Sequence, residues 1–258
     1  MSNIKSAFHN KQAFIPFVTC GDPNLSITEK IVYEMAGNGA DLIELGMPFS
    51  DPVAEGVTIQ NANQRALNSG TTTDKIFEMV MRIRKNTNIP LVFMTYANIV
   101  FSYGSERFIS AASELHIDGF ILPDVPYEES DEFSSICSKY NMDLISLIAP
   151  TSKERIAKIA KQAKGFIYCV SSLGVTGIRQ KITTDLKSII AEIKANTNVP
   201  AAIGFGISTP EQAKNMAEIA DGVIVGSAVV KLCEEYKENS PQYIGKYVKE
   251  MKNAITTK

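Results

Sequence analysis

Eight short apolar runs, each followed by helix-like sequence, recur at intervals of roughly 30 residues along the whole chain, and no other feature restricts its fold as much. The runs lie at 14–20, 41–45, 89–96, 119–124, 144–149, 165–170, 199–204 and 222–225. Each is too brief for a helix and is bounded by Gly, Pro, Asn or Asp, which marks a strand buried on both faces. Between them apolar residues return at helical spacing, clearest at Ile27, Ile31 and Met35 in a helix over 26–38 stopped by Gly37-Asn38-Gly39. Further helices are expected over about 58–68, 74–86, 105–115, 128–140, 152–163, 183–195, 210–219 and 227–237, with a closing helix at about 241–254. Eight such units in 258 residues, with no linker or low-complexity segment, match an α/β fold: a single (β/α)8 TIM barrel over 1–258 with additional short helices. An open doubly wound sheet would normally carry Gly-x-Gly-x-x-Gly after its first strand; here that strand ends in Cys20-Gly21-Asp22-Pro23.

Composition removes several classes of function. A formal net charge of −2 leaves no electrostatic footprint for nucleic acid or an anionic membrane. No apolar run approaches the ~18 residues of a membrane span, and the N-terminal stretch is polar, unlike a secretory signal. The scattered Cys20, Cys137, Cys169 and Cys233 form no C-x-x-C pair and read as reduced, mostly buried thiols of a cytoplasmic protein. With only His9 and His116 beside them, no metal site is expected.

Chemistry concentrates in residues 44–60. The second strand ends in Glu44, and the following loop, broken by Gly46, Pro48 and Pro52, carries Asp51 and Glu55. A carboxylate at the end of an apolar strand is costly unless paired or used, so Glu44 and Glu55 are the acid–base candidates, against a plain reading as salt-bridged or solvated groups. In a barrel the site forms at the C-terminal strand ends, often with phosphate held by the loops after strands 7 and 8. Those loops are Gly204-Phe205-Gly206-Ile207-Ser208 and Val225-Gly226-Ser227-Ala228; each places glycine where backbone approaches a ligand and then enters a helix N-terminus. Tight βα turns would also explain such glycines, but two in the expected places favour a phosphorylated ligand. Phe17, Tyr96, Asp124, Tyr168 and Phe205 stand at other strand ends, and their convergence suggests a planar apolar ligand part. No lysine falls clearly inside a strand, which disfavours a Schiff-base aldolase, and scarce histidine disfavours a metal-dependent sugar-phosphate epimerase.

Pro16-Phe17-Val18-Thr19 with Gly21-Asp22-Pro23, the run Glu44-Leu45-Gly46-Met47-Pro48-Phe49-Ser50-Asp51-Pro52, Gly174-Val175-Thr176-Gly177 and Gly204-Phe205-Gly206-Ile207-Ser208 resemble the tryptophan synthase α subunit over essentially the full chain. The resemblance implies a carbon–carbon lyase that cleaves indole-3-glycerol phosphate to indole and glyceraldehyde 3-phosphate, with no cofactor in this subunit. It also implies an α2β2 complex, in which indole passes to a β subunit carrying pyridoxal phosphate and the loop with Asp51 faces that partner. Matched residue by residue, Glu44 shuttles protons and Glu55 stabilises the charge at the indole nitrogen. Thr176 meets Glu55 on loop closure, Gly177, Gly206, Gly226 and Ser227 hold the phosphate, and Phe17, Tyr96, Tyr168 and Phe205 line the indole pocket. Where the family has aspartate in Ala-Asp-Gly, this chain has Ala54-Glu55-Gly56. Two alternatives stand beside this reading: a weakly catalytic subunit that mainly activates its β partner, and another phosphate-binding barrel isomerase.

Overall fold

The computed structural model describes residues 2–9, 12–170, 186–204 and 206–256. Its strands are β1 (Ala13–Thr19), β2 (Ile43–Gly46), β3 (Leu91–Met94), β4 (Gly119–Ile121), β5 (Asp143–Leu144), β6 (Ser146–Ile148), β7 (Ile167–Val170), β8 (Ala201–Gly204) and β9 (Gly222–Val225). All pair in parallel, in the order β5-β4-β3-β2-β1-β9-β8-β7-β6. The two ends of that order are successive pieces of one stretch, separated by Ile145 alone. Chain continuity therefore closes the sheet into a (β/α)8 barrel, and the fifth strand, expected whole over 144–149, is split between two neighbours. Its first half pairs with β4, its second with β7, and the Ile145 N–H donates to the Phe120 carbonyl at 2.8 Å while its side chain joins the barrel interior.

The helices are α1 (Ile4–Ala7), α2 (Leu25–Gly37), α3 (Val57–Asn68), α4 (Thr73–Arg84), α5 (Ala97–Tyr103), α6 (Ser105–Glu114), α7 (Asp131–Lys139), α8 (Lys153–Gln162), α9 (Leu186–Asn196), α10 (Pro210–Ala217), α11 (Ser227–Tyr236) and α12 (Ser240–Thr256). Two of them have no individual counterpart in the sequence reading. One turn of helix is unstable alone, and α1 persists because Ile4 and Ala7 are buried against the barrel interior. Strand β3 stops at Met94 instead of reaching Tyr96, and α5 begins at once because the Asp124 carboxylate accepts from the Ala97 N–H at 3.0 and 3.2 Å, a cap supplied by another loop.

Alternation along the strands makes two cores. Ala13, Ile15, Leu42, Val92, Ile121, Ile145, Phe166, Ala202 and Ile224 fill the barrel with Ile4 and Ala7. Residues of opposite parity, such as Phe14, Ile43, Phe93, Phe120, Ile203 and Val223, pack outward against the helices. The N-terminal ends of three strand pairs are sealed in one way. Asp41, Asp118 and Asp221 each accept an N–H from the first or second residue of the preceding strand, from Phe14 at 2.7 Å, Leu91 at 2.9 Å and Ala201 at 3.0 Å. Their own N–H groups donate back to the same residues, and each carboxylate meets a cation: Lys252, Arg84 and Lys194 respectively.

Asp118 does most of this work, because it also accepts from Asn3 N at 2.6 Å and its partner Arg84 is largely withdrawn from water. Asp118→Ala should destabilise the chain by about 3 kcal/mol in urea denaturation, since it strands a buried N–H and leaves the largely buried Arg84 guanidinium without its countercharge. Lys246→Ala, at an exposed pair with Glu250, should change stability by less than about 0.5 kcal/mol.

Candidate active site

The C-terminal ends of β1, β2, β3 and β7 bring together a ring of inward residues. Strand parity aims Glu44 into the barrel between Phe17 of β1 and Val92 of β3, its register partners. It is 1 % exposed, and its Oε1 has no hydrogen-bond partner among the described residues. Burial, and secondarily the charge of Glu55, pushes its carboxyl up to about 8. Tyr168 points in from β7 close enough that burial first, and then the Glu44 charge, holds its hydroxyl well above the usual range.

Glu55 is buried as well but is not alone. Asn63 Nδ2 of α3 donates to its Oε2 at 2.7 Å, and the Tyr96 hydroxyl lies near enough to favour its ionised form. Burial raises Glu55 to about 7, with Asn63 and Tyr96 pulling the other way. The backbone around it is fastened too: Gln60 Nε2 donates to the Glu55 carbonyl at 2.7 Å, and the Ala54 N–H donates to Tyr96 Oη at 3.3 Å. Tyr96 stacks on Phe49 with centroids 5.1 Å apart. Two carboxyl groups that both titrate near neutrality can give and take protons there, which ordinary surface carboxylates cannot.

Glycines admit the rings. A Cβ on Gly46 would lie 2.4 Å from the Phe17 ring, and one on Gly204 would lie 2.6 Å from Tyr168 Oη. Gly206 has φ +73°, which also demands glycine. Gly226 differs: its φ is −110°, and among the described residues a Cβ there would meet nothing closer than Phe17 at 3.6 Å. Neither its φ nor crowding by the described residues requires glycine at 226. It is the N-cap of α11 with no side-chain cap, and Ser227 is the first helical residue, so the first-turn N–H groups face the end of β9 without a capping side chain. The neighbouring loop is braced by Gln212 Oε1, which accepts from Ser208 N at 2.8 Å, and by Tyr247 Oη, which donates to the Ser208 carbonyl at 2.9 Å.

Of the remaining expected site residues, Asp124 is exposed and spends its carboxylate capping α5, at the rim and not among the rings. Asp51 is exposed on the loop after β2, where Val53 and Val57 are 70 % and 69 % exposed. Thr176, Gly177 and Phe205 lie outside the described residues. Asn63 and Gln60 escaped the sequence reading. The available signal was a polar residue at 63 in a stripe otherwise made of Ile59, Ala62 and Ala66. A cavity of about 720 Å³ on the outer side of the split strand, lined by Leu122, Val125, Met142, Leu147 and Ile159 among others, has neither carboxylate in its lining. Among the described residues no group of three His, Cys, Asp or Glu is placed to hold a metal ion, and no helix is long and apolar enough to cross a membrane.

Fold and site define a (β/α)8 barrel with two buried carboxyl groups and an uncapped helix N-terminus at its C-terminal mouth. The family model described as tryptophan synthase alpha chain matches residues 2–256. A tryptophan synthase alpha chain of Lacticaseibacillus casei is 50 % identical over 258 residues, covering 100 % of this chain and 97 % of that one. The crystal structure of the alpha chain from Legionella pneumophila superposes with a TM-score of 0.88 at 37 % identity, covering 99 % of this chain and 97 % of that one. A structure concerned with mutual activation of the tryptophan synthase α2β2 complex of Pyrococcus furiosus gives 0.86 at 33 % identity, covering 93 % and 98 %. The chain belongs to the tryptophan synthase α chain family.

The raised Glu44 sets a pH dependence with a definite sign. Its carboxyl binds a proton more tightly folded than unfolded, so burial costs nothing below the unfolded value near 4.5 and costs progressively more as pH rises through about 8. The stability of Glu44→Gln relative to the parent chain should therefore grow between pH 4 and pH 8.5, by on the order of 4 kcal/mol in paired denaturation curves. A difference that stays flat over that range would mean that Glu44 titrates as it would in water.

Proposed function

We propose that this chain cleaves indole-3-glycerol phosphate by a retro-aldol step to indole and glyceraldehyde 3-phosphate, as a carbon–carbon lyase. Membership of the tryptophan synthase α family names the reaction class, and the observation that carries the assignment of roles is the pair of buried carboxyl groups, Glu44 and Glu55, tuned to about 8 and about 7. Protonating C3 of the indole turns the ring into an electron sink. Removing the proton of the adjacent side-chain hydroxyl then lets the C–C bond break, its electron pair returning to the ring. Glu44 has both protonation states available near neutral pH and serves both ends of this transfer. Glu55 faces the ring N–H and stabilises the positive charge that develops there, and its carboxylate is held for that task by a neutral donor. Phe17, Tyr96, Tyr168 and Phe205 enclose the indole; Gly177, Gly206, Gly226 and Ser227 take the phosphate; and Thr176 meets Glu55 when its loop closes. Asp124 serves at the rim, through α5.

The reading extends to the assembly. The chain acts as one barrel domain, in the cytoplasm, without a cofactor of its own. It docks on a β subunit that carries pyridoxal phosphate, in an α2β2 complex. The exposed Val53 and Val57 beside Asp51 support that surface, because lone surface valines are ordinary but two flanking a charged loop at the barrel mouth suit burial by a partner.

Incubating the purified chain with indole-3-glycerol phosphate, with and without a β subunit, and assaying indole tests the proposal; no indole in either arm rejects it. Glu44→Gln should retain less than about a tenth of the activity while binding a phosphate ligand within a few-fold, because only the proton shuttle is lost. Retention above that level would make Glu44 structural. Gly226→Val should raise KM for the substrate by about tenfold or more with the fold intact, since the side chain has room at Phe17 but blocks backbone approach to an anion. An unchanged KM would move the phosphate away from β9.

A further inference from the structure

We infer that Asn63 is the positioning residue for Glu55, holding the end of its carboxylate at the barrel mouth from a helix that is itself anchored on both sides. The inference deepens the proposed reaction and rests on Glu55 being the ring-facing carboxylate.

Asn63 is 2 % exposed, in a stripe of α3 otherwise occupied by Ile59, Ala62 and Ala66. An amide buried there without a partner would cost a few kcal/mol, so its place is explained by what it bonds. That is Glu55 Oε2, at 2.7 Å. One turn earlier on the same helix, Gln60 holds the Glu55 carbonyl, so α3 fixes both the backbone and the far end of this residue. The helix is a firm post. Arg65 Nε and Nη2 bond both carboxylate oxygens of Asp22 at 2.8 Å, with Asp22 1 % exposed in the loop after β1, and Arg65 Nη1 reaches Glu234 of α11 at 3.1 Å.

A glutamate has three side-chain torsions, one more than an aspartate, and an unheld carboxylate would sample positions far enough apart to cost about 100-fold in a proton or charge relay. The Asn63 amide removes that freedom. Being neutral at every pH, it favours the ionised carboxylate without adding a countercharge that would fix it there. The other groups that face Glu55 among the described residues are Glu44 from β2, whose own ionisation the Glu55 charge opposes, and the Tyr96 hydroxyl after β3, which favours the ionised Glu55; Asp124 acts on Tyr96 from the loop after β4. Tyr96 lies after β3 and Asn63 on α3, and it is Asn63 whose hydrogen bond ties down the carboxylate end.

The test uses the full chain with a β subunit, and the variants Asn63→Leu, of similar volume without a donor, and Asn63→Ala. Both should lower kcat for indole formation by about tenfold or more with KM within about threefold, because the interaction counts for more in the transition state than in binding. The acid limb of the kcat–pH profile should move up by about one unit, since the lost donor favoured the ionised form. An unmoved limb, or a kcat within about twofold of the parent, overturns the inference, whatever happens to stability. A readout independent of turnover is the Glu55 carboxyl titration followed by carbon-13 NMR, assigned by its loss in Glu55→Gln. It should rise in both variants, and no rise overturns the inference even if the parent chain forms no indole, an outcome that would reject the proposed reaction alone. Should both variants fail to fold, the Asn63 side-chain amide signals of the parent chain decide. They must shift with the Glu55 titration, and amide signals indifferent to it would refute the contact.

Discussion

A carboxyl group held out of water, with no cation beside it among the described residues, is the constraint around which this barrel is arranged. Glu44 sits on the inward face of β2 at a depth where its register partners are Phe17 and Val92. A charge there is opposed by desolvation, so the group stays protonated well into the neutral range. Such a placement needs a scaffold whose stability comes from elsewhere. The two-layered core supplies it, with one set of strand residues filling the barrel and the other packing against the helices. The aspartates sealing the N-terminal strand ends add order at the face remote from the carboxyls.

Glu55 shows the same physics with a different balance. It too is buried, but Asn63 donates to it and Tyr96 favours its ionised form, and its upward shift is smaller than that of Glu44. The difference follows from partners and not from residue type. A group without donors keeps its proton longer, which suits an acid; a group with a neutral donor and a nearby hydroxyl gives it up sooner, which suits a fixed negative charge. The two roles assigned to Glu44 and Glu55 need that separation, and two glutamates in equivalent surroundings would compete for one role.

Much of this was legible in the residues. The eight apolar runs and the intervening helical spacing specify a barrel because strand and helix periods differ and are kept throughout. Glu44 announced itself as a charge closing an apolar strand. What stayed hidden depends on contacts between distant segments. The α1 turn exists only under Ile4 and Ala7, the start of α5 is set by the Asp124 carboxylate from another loop, and the split at Ile145 follows from which neighbour each half of the strand can reach. Asp124 follows a strand, and sequence alone does not show that its carboxylate accepts from the Ala97 N–H of another loop. Asn63 was missed because an asparagine within a helix is usually a solvated one, and only the packing of α3 shows that it faces inward.

The glycines of the mouth carry the last step, because one residue type is used for two purposes that sequence cannot separate. Gly46 and Gly204 are glycine by crowding, since any side chain would strike the Phe17 ring or the Tyr168 hydroxyl. They are therefore part of how the aromatic wall is built. Gly226 has a negative φ and, among the described residues, space for a Cβ, so neither backbone sign nor the described packing requires glycine there. A position that tolerates a side chain in isolation and still lacks one, at the start of a helix whose first N–H groups have no capping side chain, is best accounted for by something outside the chain. An anion meeting those N–H groups supplies that reason, because a phosphate oxygen must approach the backbone more closely than any side chain would permit. Packing thus accounts for the aromatic half of the mouth, and among the described residues it leaves open at β9 the place where the proposed phosphate would meet the helix N-terminus.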